Sequence, residues 1–204
     1  MNAAVYPEEV AHLKSRFGEP LEVQLEIDSD PEFLRAFRAS LRRRRAEVAF
    51  LVLRPDRQVL VTTKAFYPSG VFRLPTGGVK PGEEVEKALW RELQEETGLQ
   101  PQSARLGALI HYRMTTPGIA VRFATYLFVV STEAGEPHCT DPDEEICEFR
   151  EVAFTDLEAL ANDLSHLGTG WRSWGLWRAV PHRIALQVLA GQSDTTPMPY
   201  VTGS

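Results

Sequence analysis

The chain has 204 residues, 43% of them hydrophobic and 25% charged, an ordinary globular composition long enough to bury a sizeable core as one domain with appendages. Its formal net charge of −6 argues against a nucleic-acid partner, while a bound cation would still admit phosphorylated metabolites. The two cysteines, Cys139 and Cys147, make neither a disulfide scaffold nor a zinc pattern, and no apolar run nears the roughly 18 residues of a membrane span. The start of the chain carries no basic-then-apolar leader, so a cytoplasmic protein is the expectation.

Residues 7–17 open with Pro7 and two acids and stop at Gly18, which are helix start and stop signals. Residues 21–27 (LEVQLEI) alternate and read as a strand. Over 29–45, Asp30 stands as an N-cap before Pro31, and Phe33, Leu34, Phe37 and Leu41 recur at helical spacing. The basic run Arg42–Arg45 reads as the cation-favouring end of that helix, with a solvated face. Residues 46–54 and 58–64, around a turn at Pro55–Asp56, read as a hairpin of buried strands. A short extended piece at 72–74 precedes the Pro75–Gly78 break, and residues 83–97 are helical. Two β-rich stretches, 103–114 and 119–132, meet at a turn over 115–118. After a polar loop come a strand at 145–154, a helix over 155–164 with cap-like Thr155, and a final helical pattern over 171–190. Trp171, Trp174 and Trp177 in that last stretch read as packing, as do His138, His166 and His182 as surface or packed residues. Mixed strands and helices without strict βαβ alternation define an α+β protein.

The stretch at 77–99, GGVKPGEEVEKALWRELQEETGL, runs a glycine-rich loop into an acidic helix. Val85, Leu89 and Leu93 form its apolar stripe, and Glu92, Glu95 and Glu96 project together beside that stripe. Like charges so placed destabilise an isolated helix by about 0.2–0.5 kcal/mol per pair. Crowded carboxylates with Arg91 in reach of Glu95 suit a hard divalent cation that leaves coordination sites for phosphate; a solvated acidic face is the competing reading.

The spacing narrows the choice. Gly77, Glu83, Arg91, Glu92, Leu93, Glu95, Glu96, Gly98 and Leu99 fill every defined position of a pattern that resembles the Nudix box. The resemblance implies a Nudix-type α/β/α sandwich with a mixed sheet. It divides the chain into an N-terminal extension at 1–45, a core at 46–160, a C-terminal helical segment at 161–192 and a disordered tail at 193–204. It also implies a Mg²⁺- or Mn²⁺-dependent hydrolase of a diphosphate linkage in a nucleoside diphosphate joined to another moiety, ADP-ribose-like or a nucleoside triphosphate. By position, Glu95 and Glu96 match the main metal ligands, Glu92 a ligand or base, Arg91 the arginine that orients a glutamate, and Glu83 an early ligand or helper. The backbone carbonyl near Thr76–Gly77 is a further candidate ligand.

Outside the box, Glu145 and Glu148 in the acidic loop are candidates for one more catalytic acid, with Glu145 preferred at the loop–strand junction. Arg73 and Lys64 are candidates to touch phosphate, and Tyr112, Arg113 and Arg122 to line the substrate side; surface cations are the competing reading. The terminal additions are expected to build homodimer contacts or to cover the base. A Nudix-like sensor that binds a nucleotide without cleaving it is the alternative, disfavoured by the intact acids. An isoprenoid-diphosphate isomerase of this fold would need a cysteine before the box, and both cysteines follow it. A proline about sixteen residues past the box marks ADP-ribose hydrolases; here Thr115 holds that position and Pro117 lies two further on.

Overall fold

Residues 46–53 are apolar except for Glu47, and such a run is stable only with both faces covered. In the computed structural model, which describes residues 5–191, this run is the strand β2 (Ala46–Leu53) inside a seven-stranded mixed sheet. The other strands are β1 (Leu21–Asp28), β3 (Val59–Lys64), β4 (Thr76–Val79), β5 (Pro101–Thr116), β6 (Ile119–Thr132) and β7 (Ile146–Val152). Their order is β1-β5-β6-β2-β3-β7, with β4 pairing antiparallel to β2. The pairs β1–β5 and β2–β6 are parallel, and the remaining neighbours are antiparallel.

Alternation along the strands supplies two cores. On one face Val48, Phe50 and Val52 meet Leu13 and Phe17 of α1 (Pro7–Phe17) and Val85, Leu89 and Leu93 of α3 (Val85–Thr97). On the other, Ala49 and Leu51 meet Leu34 and Phe37 of α2 (Pro31–Ser40), Leu157 of α4 (Leu157–Ser165), and Trp177 and Ile184 of α5 (Arg172–Ala190). The result is the expected helix–sheet–helix sandwich. The segment 1–45 contributes an added strand and one helix to each layer, and residues 193–204 lie outside the described residues. Among the described residues no helix is long and apolar enough to cross a membrane.

Three local readings change. The second helix ends at Ser40, well before the expected residue 45; Arg44 and Arg45 then turn inward, so the basic run is not one solvated face. Glycine-rich Thr76–Val79, read as a break, is a strand because β2 offers it a ladder that local propensity does not reveal. The acidic helix starts at Val85, and its N-terminus takes no hydrogen bond from its own cap residue, Glu84. Instead Glu9 of α1 accepts from the Val85 N–H at 3.0 Å while pairing with buried Arg45 at 2.6 and 3.0 Å. A carboxylate at a helix N-terminus is favoured by the helix dipole, so the N-terminal helix fixes the seat of α3.

Two close contacts seat helix α5, one at the edge of the sheet and one on α4. Buried His182 accepts through Nε2 from the Leu74 N–H at 3.1 Å, with Nδ1 2.9 Å from the Arg178 carbonyl, and burial pushes its pKa down to about 3. Gly175 lies so close to α4 that a Cβ there would sit 2.1 Å from the Leu164 carbonyl oxygen. Because a backbone atom cannot swing aside, Gly175→Ala is expected to destabilise the protein by about 1–3 kcal/mol in denaturant titration. Unchanged stability would show that α4 and α5 do not depend on this contact.

Candidate active site

Arg91 organises the acidic helix. Its five N–H donors reach five acceptors: Glu83 Oε1 at 2.8 Å, Glu83 Oε2 at 2.9 Å, Glu92 Oε1 at 2.7 Å, Glu95 Oε2 at 2.8 Å and the Gly78 carbonyl at 3.0 Å. Helical spacing places Glu95 one turn on, at i,i+4, while Glu92 is the next residue along the chain. Glu83 arrives from the preceding loop, turned back at Gly82 (φ 79°) and fixed by the Lys80 N–H at 2.8 Å. Burial works to raise the Glu83 pKa, but hydrogen bonds from Arg91 and Lys80 hold it below the usual range. The Glu83 hydrogen bond, ahead of those from Glu92 and Glu95, raises the Arg91 pKa and keeps the guanidinium charged.

Glu92 and Glu96 lie deeper. Gly77 makes room for Glu92, since a Cβ on Gly77 would fall 2.0 Å from the Glu92 carboxyl carbon. Glu96 is fully buried, with Lys64 Nζ at 3.5 Å and Arg73 Nη2 at 4.0 Å from Oε1. Burial raises the Glu92 pKa and pushes Glu96 up to about 7, against the pull of Arg73 and Lys64. Glu92 Oε2 and both Glu96 oxygens are buried and accept no hydrogen bond among the described residues. Such orphaned acceptors are uncommon in a folded interior.

Lys64 also donates to Glu144, which brings a carboxylate from the 3₁₀ turn Pro142–Glu144 to the cluster. This corrects the expectation for the acidic loop. Glu145 adopts a left-handed conformation (φ 53°) and is exposed, its carbonyl accepting from the Ala65 N–H. Glu148 is exposed and pairs with Arg150 at 2.8 Å. Neither joins the box; Glu144, overlooked in the sequence, does.

The other candidates divide. Arg73 and Lys64 line the cleft, but Arg73 is spent internally on Tyr67 (2.7 Å), the Leu74 carbonyl (2.7 Å) and Thr76 (3.1 Å). Tyr112 is not on a substrate surface: the alternation of β5 turns it into the core beneath α2 and α5. Arg113 pairs with Glu26 of β1, and exposed Arg122 faces it across the β5–β6 ladder, away from the box.

A cleft of about 260 Å³ lies over this region, lined by Arg44, Lys64, Phe66, Tyr67, Trp174 and Arg178 and floored by Thr76, Gly77 and Gly78. A larger concavity, about 530 Å³, sits beside Arg35, Arg38 and Arg42 and contains no acid. Chemistry selects the smaller cleft, which contains Glu144 and adjoins, through Gly77, Lys64 and Arg73, the buried carboxylates that lack donors. Among the described residues no three acids, imidazoles or thiols are already gathered in ligand geometry, and one oxygen each of Glu92 and Glu95 is held by Arg91. The orphaned oxygens of Glu92 and Glu96, with Glu95 beside them, nonetheless fit a hard cation.

A family model described as the NUDIX domain matches residues 43–169. The RNA pyrophosphohydrolase of Psychromonas ingrahamii is 36% identical over 62 residues, covering 30% of this chain and 33% of that protein. The protein of that name from Aeromonas hydrophila is 38% identical over 64 residues, covering 31% and 35%. The matched stretch thus spans about a third of the length of these curated relatives. Among solved structures, the E. coli dihydroneopterin triphosphate pyrophosphohydrolase aligns with TM-score 0.47 and 18% identity over 73% of this chain and 98% of that one. A C. elegans Ap4A hydrolase aligns with TM-score 0.47 and 17% identity over 72% and 98%.

The Glu96 environment has a signature in the metal-free protein. Its folded pKa, about 7, lies above the ordinary carboxylate value of 4.5, so its contribution to stability is present below pH 4.5 and is lost as pH rises through 7. In chelator, the melting temperature is expected to fall across that window, by the equivalent of at most about 3 kcal/mol. Glu96→Gln should flatten this fall and be no less stable than wild type at pH 8. An undiminished fall in the variant would assign the effect to another group.

Proposed function

The chain belongs to the Nudix family, and we propose that it is a divalent-metal-dependent pyrophosphohydrolase cleaving a diphosphate linkage in a nucleotide-like substrate. The observation that carries this reading is the set of buried carboxylate oxygens without donors, on Glu92 and Glu96, beside a cleft walled by arginine and lysine. A solvated acidic helix would leave its acids in water, and a sensor has no need to bury them against their repulsion.

In this reading Glu92, Glu95 and Glu96 hold Mg²⁺ or Mn²⁺, with Glu83 and the carbonyl near Gly77 as further ligands or supports. The ion supplies positive charge to the diphosphate oxygens and acidifies water in its shell. Arg91 orients Glu83, Glu92 and Glu95 through four of its five hydrogen bonds and ties them to the Gly78 carbonyl through the fifth. Glu144 is the acid outside the box. It approaches from a second direction and sits close enough to raise the proton affinity of Glu92 and Glu96. A carboxylate so placed can take the proton of the attacking water, directly or through another water. Lys64 pairs with both Glu96 and Glu144, and would be placed to meet a substrate phosphate were a cation held on those carboxylates. Phe66, Tyr67 and Trp174 on the same cleft supply stacking surface for a base. A nucleoside diphosphate linked to another moiety, or a nucleoside triphosphate, fits these groups.

Phosphate release from a panel of such substrates is expected to require Mg²⁺ or Mn²⁺, to vanish in chelator and to be lost in Glu96→Gln. Turnover in chelator would sink the assignment. Glu144→Gln is expected to lower kcat on the order of 10²-fold, the scale of general-base loss. Glu145→Gln and Glu148→Gln should stay near wild type. A large loss at either of those, with Glu144→Gln unaffected, would return the role to the residue concerned.

A further inference from the structure

The four cations on the cleft are not equally neutralised. Lys64 and Arg73 face Glu96 and Glu144, two charges against two. Arg44, from the segment before β2, and Arg178, from α5, share a single acid: Glu47 Oε2 lies 2.9 Å from Arg178 Nη1 and 3.8 Å from Arg44 Nη1. Glu47 is buried, and its other oxygen accepts from Thr125 Oγ1 at 2.8 Å, so it has little left to give a second arginine. The Nε atoms of both arginines are buried without a hydrogen-bond partner. Both guanidiniums stack near Trp177, at 5.4 and 3.6 Å from its ring centre. One positive charge in excess is therefore held in a poorly solvated wall. Burial, opposed in part by Glu47 and reinforced by Arg178, pulls the Arg44 pKa down to about 10. Such a wall stores the cost of desolvation until an anion arrives.

The backbone between this pair and the acidic helix is unusually thin. Gly77 and Gly78 sit side by side on β4, and adjacent strand residues face opposite ways. The missing side chain of Gly77 makes room for Glu92; a Cβ on Gly78 would lie 3.3 Å from the Arg44 Cβ. The Gly78 carbonyl is also held by Arg91, and Gly78 pairs with Glu47 in the β2–β4 ladder. Only Gly77 belongs to the box pattern; Gly78 answers to Arg44.

We infer that Arg44 and Arg178, set by Glu47, form a second anion site that grips a phosphate of the substrate beyond the one handled by the box acids. A ligand lying over Gly77–Gly78 then has metal-binding carboxylates at one end and a paired guanidinium clamp at the other. Guanidinium suits phosphate because it donates two parallel hydrogen bonds and stays charged. Glu47 is a positioning residue. The segments before β2 and after α4 thereby complete the cleft. The identity of the anion as a substrate phosphate rests on the hydrolase reading; the site itself does not.

The test uses the full chain in chelator, with inorganic pyrophosphate as the probe and thermal shift as the readout. Pyrophosphate is expected to raise the wild-type melting temperature, and Arg44→Met to weaken its apparent affinity at least tenfold. Arg44→Met leaves the Glu47–Arg178 hydrogen bond intact and should fold. Arg178→Met alone would strand Glu47, so it is combined with Glu47→Gln, and this double variant should also lose the shift. Equal pyrophosphate affinity in wild type, Arg44→Met and the double variant would overturn the site. So would a loss seen only in Lys64→Met, which would put the anion on the box side. Metal-dependent turnover separates the two readings. No turnover in wild type, with Arg44-dependent pyrophosphate binding, removes the hydrolase and keeps the clamp. Turnover at wild-type KM by Arg44→Met, with unchanged pyrophosphate binding, removes the clamp and keeps the hydrolase.

Discussion

The rest of the site depends on the five hydrogen bonds of Arg91. Carboxylates crowded on a helix repel one another, and moving them out of water adds a desolvation cost to that repulsion. A guanidinium meets this constraint because its donors form a rigid planar fork of fixed charge, which an ammonium group cannot imitate. Arg91 ties the loop acid Glu83, the helix acids Glu92 and Glu95, and the β4 carbonyl of Gly78 to one centre. It does not reach Glu96. That residue depends on Lys64 and Arg73, two cations from other parts of the sheet, and its burial pushes its pKa up to about 7.

The sandwich explains how one cleft draws on both layers. Helix α3 packs on one face of the sheet, α2 and α5 on the other. Side chains from opposite layers can meet only where the sheet between them is short or stripped of bulk, and β4 is both: four residues, two of them glycine. Glu92 leans on it from one side and Arg44 from the other. The scaffold around this gap is correspondingly firm. Glu9 and Arg45 anchor the start of α3, and neutral His182 anchors α5 to the strand entry at Leu74.

Local periodicity made much of this legible from the residues alone. The apolar stripe of Val85, Leu89 and Leu93, the grouping of Glu92, Glu95 and Glu96, the Arg91–Glu95 pair and the long β5–β6 hairpin all follow from spacing within one element, where geometry is fixed by 3.6 or 2 residues per turn. Strand β4 was hidden because glycine has no strand preference of its own and extends here only against β2. The inward turn of Arg44 and Arg45 has no local signal, because a run of basic residues looks alike whether the chain ends in water or turns back into the core.

What the sequence determined by itself is the acidic face of one helix and the sandwich that carries it, since both arise from contacts close in sequence or from hydrophobic alternation. The partners of that face were decided by tertiary structure. Glu144 and not Glu145 or Glu148 meets the box because the β3–β7 ladder shifts register between Thr63 and Lys64 and the chain reverses through a left-handed Glu145. Arg44 and Arg178, 134 residues apart in sequence, meet because α5 folds back beside β2 and shares Glu47. Tyr112 was withdrawn into the core by the same alternation that defines its strand. In each case the deciding quantity is which face of the sheet a residue occupies and what packs over it, and no spacing within a single segment encodes that.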